Sequence, residues 1–261
     1  MDLAPHLATR QFGRNFIFLT EADSTNKVAM ELASQGAPEG MVVCADRQTA
    51  GRGRQNRAWF SPSGSNLYVS LVLRPSRPAQ EAVQVALVGG LAVAAALQGF
   101  LPAAMPAKVK WPNDVFVGGR KCCGLLCEMS APNTPGQSLV VGIGVNVNLG
   151  AEELAPGLRG TATSLRMAAG KEFDRAKVLA AILLELERRY SVWLQVGLAG
   201  LMPEWRDRSL LEGHRVVADT AAGEISGTVA GLSGQGNLLV RNDAGETLEI
   251  SAGDVHIRSI L

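Results

Sequence analysis

The sequence predicts an α/β protein with a mixed α+β sheet over residues 1–210 and a small all-β barrel over residues 211–261. Two patterns and the composition carry this prediction. Strand-type runs alternate with helix-type runs up to about Leu211, and short strands punctuated by glycine follow. The chain of 261 residues is 47% hydrophobic and 19% charged, enough for one large core and a small second one.

Taken in order, Arg14 to Thr20 has strand composition, and Asp23-Ser24-Thr25-Asn26 offers capping side chains to a helix through Ala33 that stops at Gly36. Met41 to Asp46 reads as a buried strand, Ala50 to Ser65 as a long polar loop, and Asn66 to Leu73 as a further strand. Ala79 to Leu101 reads as a core helix. Short strands around Val109 to Trp111, Asp114 to Val117, Lys121 to Met129 and Ser138 to Asn148 complete the sheet, with a Gly118-Gly119 hairpin inside them. Asp174 caps an amphipathic helix carrying Val178, Leu179, Ile182, Leu183, Leu186, Tyr190 and Trp193. Arg215 to Ala218, Glu224 to Val229, Asn237 to Arg241, Thr247 to Ile250 and Val255 to Ile260 supply the barrel strands.

Composition excludes several classes of function. Lys+Arg number 25 and Asp+Glu 24, so no overall basic field draws nucleic acid to the chain. The N-terminus lacks the charged and apolar regions of a secretory signal, and export is not expected. Val85 to Leu97 is uncharged for 13 residues, against the roughly 20 needed to cross a bilayer, so no membrane span is expected. Cys44, Cys122, Cys123 and Cys127 form no zinc-type spacing and no disulfide framework; they read as reduced, buried packing residues.

Three constellations could carry chemistry. Gly51-Arg52-Gly53-Arg54-Gln55-Asn56-Arg57-Ala58-Trp59 combines three guanidinium groups, no acid and an aromatic face. It reads either as an anion site or as a solvated basic loop, and it matches neither a Walker A loop nor a dinucleotide fingerprint. Lys110-Trp111-Pro112-Asn113-Asp114, with Lys121 beyond the hairpin, places charged residues beside strands, where each needs a partner or a ligand. A structural ion pair would satisfy Asp114 and Lys121 as well as a metal or an acyl phosphate would. Gly142-Ile143-Gly144-Val145-Asn146 is an apolar strand with small residues against which a flat ligand could lie.

In combination, Asp-Ser-Thr-Asn at 23 to 26, Gln48, Gly-Arg-Gly-Arg at 51 to 54, Lys-Trp-Pro-Asn-Asp at 110 to 114, Arg-Lys-x-x-Gly at 120 to 124 and Gly-x-Gly-x-Asn at 142 to 146 closely resemble the biotin protein ligases. The resemblance implies a catalytic domain like that of class II aminoacyl-tRNA synthetases and an SH3-like barrel. It further implies that ATP activates biotin as biotinyl-adenylate and that the biotin passes to a lysine of a biotin carboxyl carrier protein, as in acetyl-CoA carboxylase. Carried over by motif, Ser24, Thr25, Asn26 and Gln48 would grip the biotin ring, with Gly53 and Gly124 beside it. Arg52, Arg54 and Lys121 would act on the reacting carboxylate and phosphate. Arg54, Arg57, Trp59, Lys110, Asn113, Asn146 and Arg258 would hold ATP, and Asp114 would organise Mg²⁺.

Asn56 stands where the family often has glycine, which would stiffen the loop or change its closure. The 46–65 loop is expected to gain order over the adenylate and to be disordered without it. About twenty residues precede Asp23, too few for the DNA-binding domain of the repressor-type members, so a monofunctional enzyme is expected. A cytoplasmic monomer or homodimer is the expected setting. Two other readings stay open: a lipoate or octanoate ligase, and a non-enzymatic biotin-binding regulator.

Overall fold

The computed structural model describes residues 1–130, 137–221 and 223–257. In chain order the elements are β1 (Phe16–Ala22), α1 (Thr25–Ser34), β2 (Val42–Gln48), β3 (Leu67–Leu73), α2 (Val85–Gln98), β4 (Ala107–Lys110), β5 (Asp114–Val117), β6 (Arg120–Ser130) and β7 (Ser138–Val145). Then come α3 (Leu165–Ala169), α4 (Arg175–Val196) and α5 (Met202–Arg208), and last β8 (Arg215–Thr220), β9 (Gly223–Leu232), β10 (Leu238–Arg241), β11 (Thr247–Ile250) and β12 (Asp254–Ile257). The first seven strands form one mixed sheet in the order β1-β2-β3-β7-β6-β5-β4. Only β1 and β2 are parallel, and α1 is their crossover; all other neighbours run antiparallel.

The period-2 geometry of the strands sorts the two faces. Leu139, Val141, Ile143 and Val145 of β7 join Leu67, Val69, Leu71 and Leu73 of β3 in the main core with α2 and α4. Val140 and Val72 point the other way and pack with Val43 and Ala29 beneath α1. All seven residues of β3 are therefore buried. Gly89 lets α2 settle on the sheet, since a Cβ there would lie 2.5 Å from Leu125 Cδ2. The helix with its preceding 3₁₀ turn, Ala79 to Gln98, has the length and composition of a membrane span, yet 72% of that window is buried inside the protein.

Several boundaries differ from the sequence reading. Residues 79–84 form a 3₁₀ turn, and the α-helix ends at Gln98, before Gly99. β7 ends at Val145: the Asn146 N–H still reaches the Cys122 carbonyl of β6, but the Val147 N–H turns to the Asn66 side chain. Ser24 occupies the N-cap of α1 without making a cap hydrogen bond, whereas Asp174 caps α4 through the Ala176 N–H. The short α3 and α5 were not foreseen. Ser164 and a left-handed Gly170 bracket α3, and α5 buries Trp205. Gly118 and Gly119 both take positive φ in the hairpin that joins β5 to β6.

The last five strands form an antiparallel sheet in the order β11-β10-β9-β8-β12, with a bulge where β10 meets β9. Its apolar residues, among them Val216, Val229, Leu238, Val240 and Val255, belong to the same continuous core as α2 and α4. Hydrogen bonds from Leu210 N–H to the Val109 carbonyl, Trp111 Nε1 to the Gly236 carbonyl and Gln84 Nε2 to the Gly234 carbonyl join the two sheets.

The N-terminal segment is held to α4 by one carboxylate. Glu187 accepts the backbone N–H groups of Arg10, Gln11 and Phe12 at 2.8, 2.7 and 2.9 Å. Burial works to raise its pKa, but the three backbone bonds outweigh burial and hold it below the usual 4.5. A depressed carboxylate stabilises the fold fully above its unfolded pKa, and that stabilisation fades as the pH falls through the folded value. E187Q is expected to lower stability at pH 7 by about 1 kcal/mol, with the gap to the parent protein closing below about pH 4. Urea titrations at both pH values check this, and a gap independent of pH would refute it.

Candidate active site

A cavity of ≈ 470 Å³ opens on the sheet face that carries α1, and its walls come from β2, β3, β6, β7, the N-terminus of α1, the 50–61 loop and β12. Among the described residues, no histidine or cysteine lines it. Cys44, Cys122 and Cys123 are buried and free. Burial pushes the thiols of Cys44, Cys122 and Cys127 up to about 12, so none is a thiolate at neutral pH.

The polar end of the cavity is a connected hydrogen-bond network. Ser70 Oγ lies 2.6 Å from Asn26 Oδ1 and 2.8 Å from Thr25 Oγ1. Gln48 Oε1 accepts the Thr25 N–H at 2.9 Å, Gln48 Nε2 donates to Ser61 Oγ, and Ser61 Oγ donates to the Trp59 carbonyl. Asn26 Nδ2 reaches the Leu126 carbonyl at 3.2 Å and Glu128 Oε2 at 2.7 Å. Asn26 therefore spends its amide on the protein and braces the pocket. A Cβ on Gly142 would stand 2.3 Å from Asn26 Oδ1, so only glycine admits this arrangement.

Gly124 and Gly144 are register partners across β6 and β7, and together they bare a patch of backbone. What lies on that patch is the Trp59 indole: a Cβ on Gly144 would come within 2.5 Å of Trp59 Nε1, and one on Gly124 within 2.9 Å of Trp59 Cζ3. The flat group expected against this strand is thus a side chain of the chain itself. Trp59 Nε1 is buried there with no partner.

The arginine segment folds as a small hairpin closed by an Arg52–Ala58 bridge and a 2.7 Å bond from Gly53 N–H to the Arg57 carbonyl. Its side chains also reach beyond the hairpin. Arg52 pairs with Glu128 at 3.1 Å, Arg54 donates to Asn113 Oδ1 at 3.3 Å, and Arg57 pairs with Asp254 of β12. Gln55 and Asn56 both adopt left-handed φ, 54° and 58°; the missing glycine accounts for Asn56, and Gln55 adds a second side chain in a conformation that favours glycine.

Lys121 Nζ sits 2.7 Å from Asp114 Oδ1, a buried oxygen in ion contact without hydrogen-bond alignment, and 5.4 Å from the centre of the Trp59 ring. Asn113 donates to the Leu125 carbonyl, and Asn146 lines the cavity while donating to the Thr163 carbonyl. Lys110 stands apart: it lies 5.3 Å over the Phe116 ring, outside the cavity wall, and burial lowers its pKa. Arg258 lies outside the described residues.

Sequence reasoning missed Glu128, Asp254, Ser61 and Ser70, and an apolar wall of Leu149, Leu154, Leu158 and Ala162. The wall's leucines sit in a turn-rich stretch without strand or helix period, so only their apolar character signalled them.

Residues 19–146 match the biotin/lipoate A/B protein ligase family, and residues 213–258 match the biotin protein ligase C-terminal domain. The chain is 40% identical over 240 residues to the bifunctional ligase/repressor BirA of Bacillus subtilis, covering 92% of this chain and 73% of that protein. It is 34% identical over 251 residues to the biotin–[acetyl-CoA-carboxylase] ligase of Mycobacterium tuberculosis, covering 94% and 90%. The biotin protein ligase of Aquifex aeolicus, solved in complex with biotin and ATP, superposes with a TM-score of 0.80 at 33% identity, over 94% of this chain and 99% of that one. The chain belongs to the biotin/lipoate A/B protein ligase family, in the biotin protein ligase branch that ends in a C-terminal β domain.

Proposed function

We propose that the cavity divides the work of an ATP-dependent biotin protein ligase between a polar end, a cationic middle and an apolar wall. The observation that carries this reading is the gathering of Lys121, Arg54 and the glycine-platform Trp59 around one cavity whose far end is lined by Ser24, Thr25 and Gln48. A carboxylate is a weak acylating group, so biotin must first attack the α-phosphorus of ATP, forming biotinyl-adenylate and releasing pyrophosphate. A carrier lysine then attacks the acyl carbon and AMP leaves. Neither step needs a protein nucleophile, which agrees with thiols held protonated by burial.

The enzyme's tasks are to hold two anions together and to stabilise charge on the phosphorus. Ser24, Thr25 and Gln48, with the backbone of Gly53 and the bare Gly124, receive the biotin ring; Asn26 braces them. Lys121 serves the carboxylate and the α-phosphate. Of the three loop arginines, Arg52 and Arg57 end on carboxylates, whereas Arg54 meets the neutral Asn113 amide oxygen, so Arg54 is the one poised for phosphate. Trp59, Asn113 and Asn146, with the leucine wall, hold the nucleotide. Asp114, a cavity-lining carboxylate beside Lys121, would be the residue that holds Mg²⁺ together with the substrate phosphates. An ion held there would supply neutralising charge for the ATP phosphates. The acceptor is the biotin carboxyl carrier domain of a cytoplasmic carboxylase.

Two measurements test this reading. Biotin-dependent exchange of labelled pyrophosphate into ATP is expected, absent with lipoate or octanoate, and K121A is expected to lose at least about 100-fold in rate. Exchange with lipoate alone would move the chain to the sister ligases, and none with any acid would overturn the enzymatic reading. G142A, whose Cβ would displace Asn26, is expected to raise KM for biotin about tenfold, the effect of about 1.4 kcal/mol. An unchanged KM would remove Asn26 from its bracing role.

A further inference from the structure

Two of the three loop arginines end on carboxylates that belong to different parts of the fold. Glu128 rises from near the C-terminal end of β6, and its Oε2 is shared by Arg52 at 3.1 Å and Asn26 at 2.7 Å. Asp254 opens β12 in the C-terminal sheet and takes Arg57. Arg52 and Arg57 lie on opposite arms of the small hairpin, on either side of the turn at Gln55 and Asn56. Each arm is therefore tied to its own bank, and the turn between them holds two non-glycine residues in left-handed backbone.

We propose that Glu128 and Asp254 are positioning residues that latch the arginine hairpin over the bound adenylate. A turn with two non-glycine residues in left-handed backbone persists only where its flanks are held; backbone bonds close the hairpin on itself, and these two ion pairs tie its arms to the two sheets. Release of either pair frees one arm, and the turn relaxes away from the cavity. Glu128 is aimed by Asn26, which is itself fixed by Ser70 and by the space above Gly142. The first latch is thereby tied to the polar end that receives biotin. The side chains of Arg52 and Glu128 are 46% and 28% exposed, open enough to feel salt. The proposal rests on the adenylate-forming activity above.

The test uses the full chain with biotinyl-adenylate formed in place from labelled biotin and MgATP, then chased without carrier protein. E128Q and D254N are each expected to release the adenylate about three to ten times faster, the range of a partly exposed ion pair. The double variant R52Q/E128Q is expected to be no faster than either single one, whereas E128Q/D254N multiplies the two effects. Raising salt is expected to speed release from the parent protein and to leave E128Q/D254N nearly unchanged. Independent effects of R52Q and E128Q, or equal salt sensitivity in all proteins, would overturn the latch. Pyrophosphate exchange measured alongside separates the two ideas: its absence from the parent protein defeats the ligase reading, and its presence with unaltered release rates defeats the latch alone.

Discussion

Gly142 and Gly144 leave bare backbone on the face of β7 that points away from α2, and the layout of the site follows from that bareness. Gly142 stands in register with Ser70 on β3 and Leu126 on β6, so Asn26 can come down between three strands and bond to both outer ones. Asn26 then fixes Glu128, and Glu128 fixes Arg52. One strand step further, Gly144 and Gly124 let the Trp59 indole touch the sheet. Elsewhere the same face is filled by Val140, Val72 and Val43 under α1, which is how an ordinary half-covered sheet closes. The cavity exists where side chains were withheld.

Around that patch the chain gathers four cations although its net charge is only +1. Arg52, Arg54, Arg57 and Lys121 would repel one another if left unpaired in a cavity of low polarity. Three of them sit against carboxylates, Glu128, Asp254 and Asp114, and the fourth against the Asn113 amide. The pairing of Lys121 with Asp114 is the most sheltered at the cavity, with side chains 34% and 20% exposed. Cations already held at the rim need no reorganisation when anionic substrates arrive, which is the condition under which fixed charges stabilise a developing charge best.

What the sequence made legible was what short-range rules decide. The alternation of β7, the seven apolar-flanked positions of β3, the amphipathic α4 with its Asp174 cap and the Gly118-Gly119 hairpin all depend on neighbours within a few residues. The motif blocks were equally visible, and most of their residues line one cavity. The rest turned on distance along the chain. Nothing near Arg57 announces Asp254, 197 residues away. A motif also says which residues gather without saying which atoms are already engaged. The motifs marked Asn26 and Lys110 as site residues but not that the Asn26 amide bridges Leu126 and Glu128 or that Lys110 lies over Phe116.

The C-terminal sheet is part of the frame of the site. Its apolar residues run into the main core without a break, and its loops accept the Trp111 indole N–H and the Gln84 amide. Trp111 is 3% exposed, so without the Gly236 carbonyl its N–H would be left buried and unpaired, a penalty of about 1–3 kcal/mol. Trp111 immediately precedes the Pro112-Asn113-Asp114 segment, and Asn113 and Asp114 partner Arg54 and Lys121. A change in the seating of the C-terminal sheet therefore reaches the cavity by two routes. One runs through Asp254 to Arg57, and the other through Gly236 and Trp111 to the residues that hold Arg54 and Lys121. The site is built by the first sheet and aligned by the second.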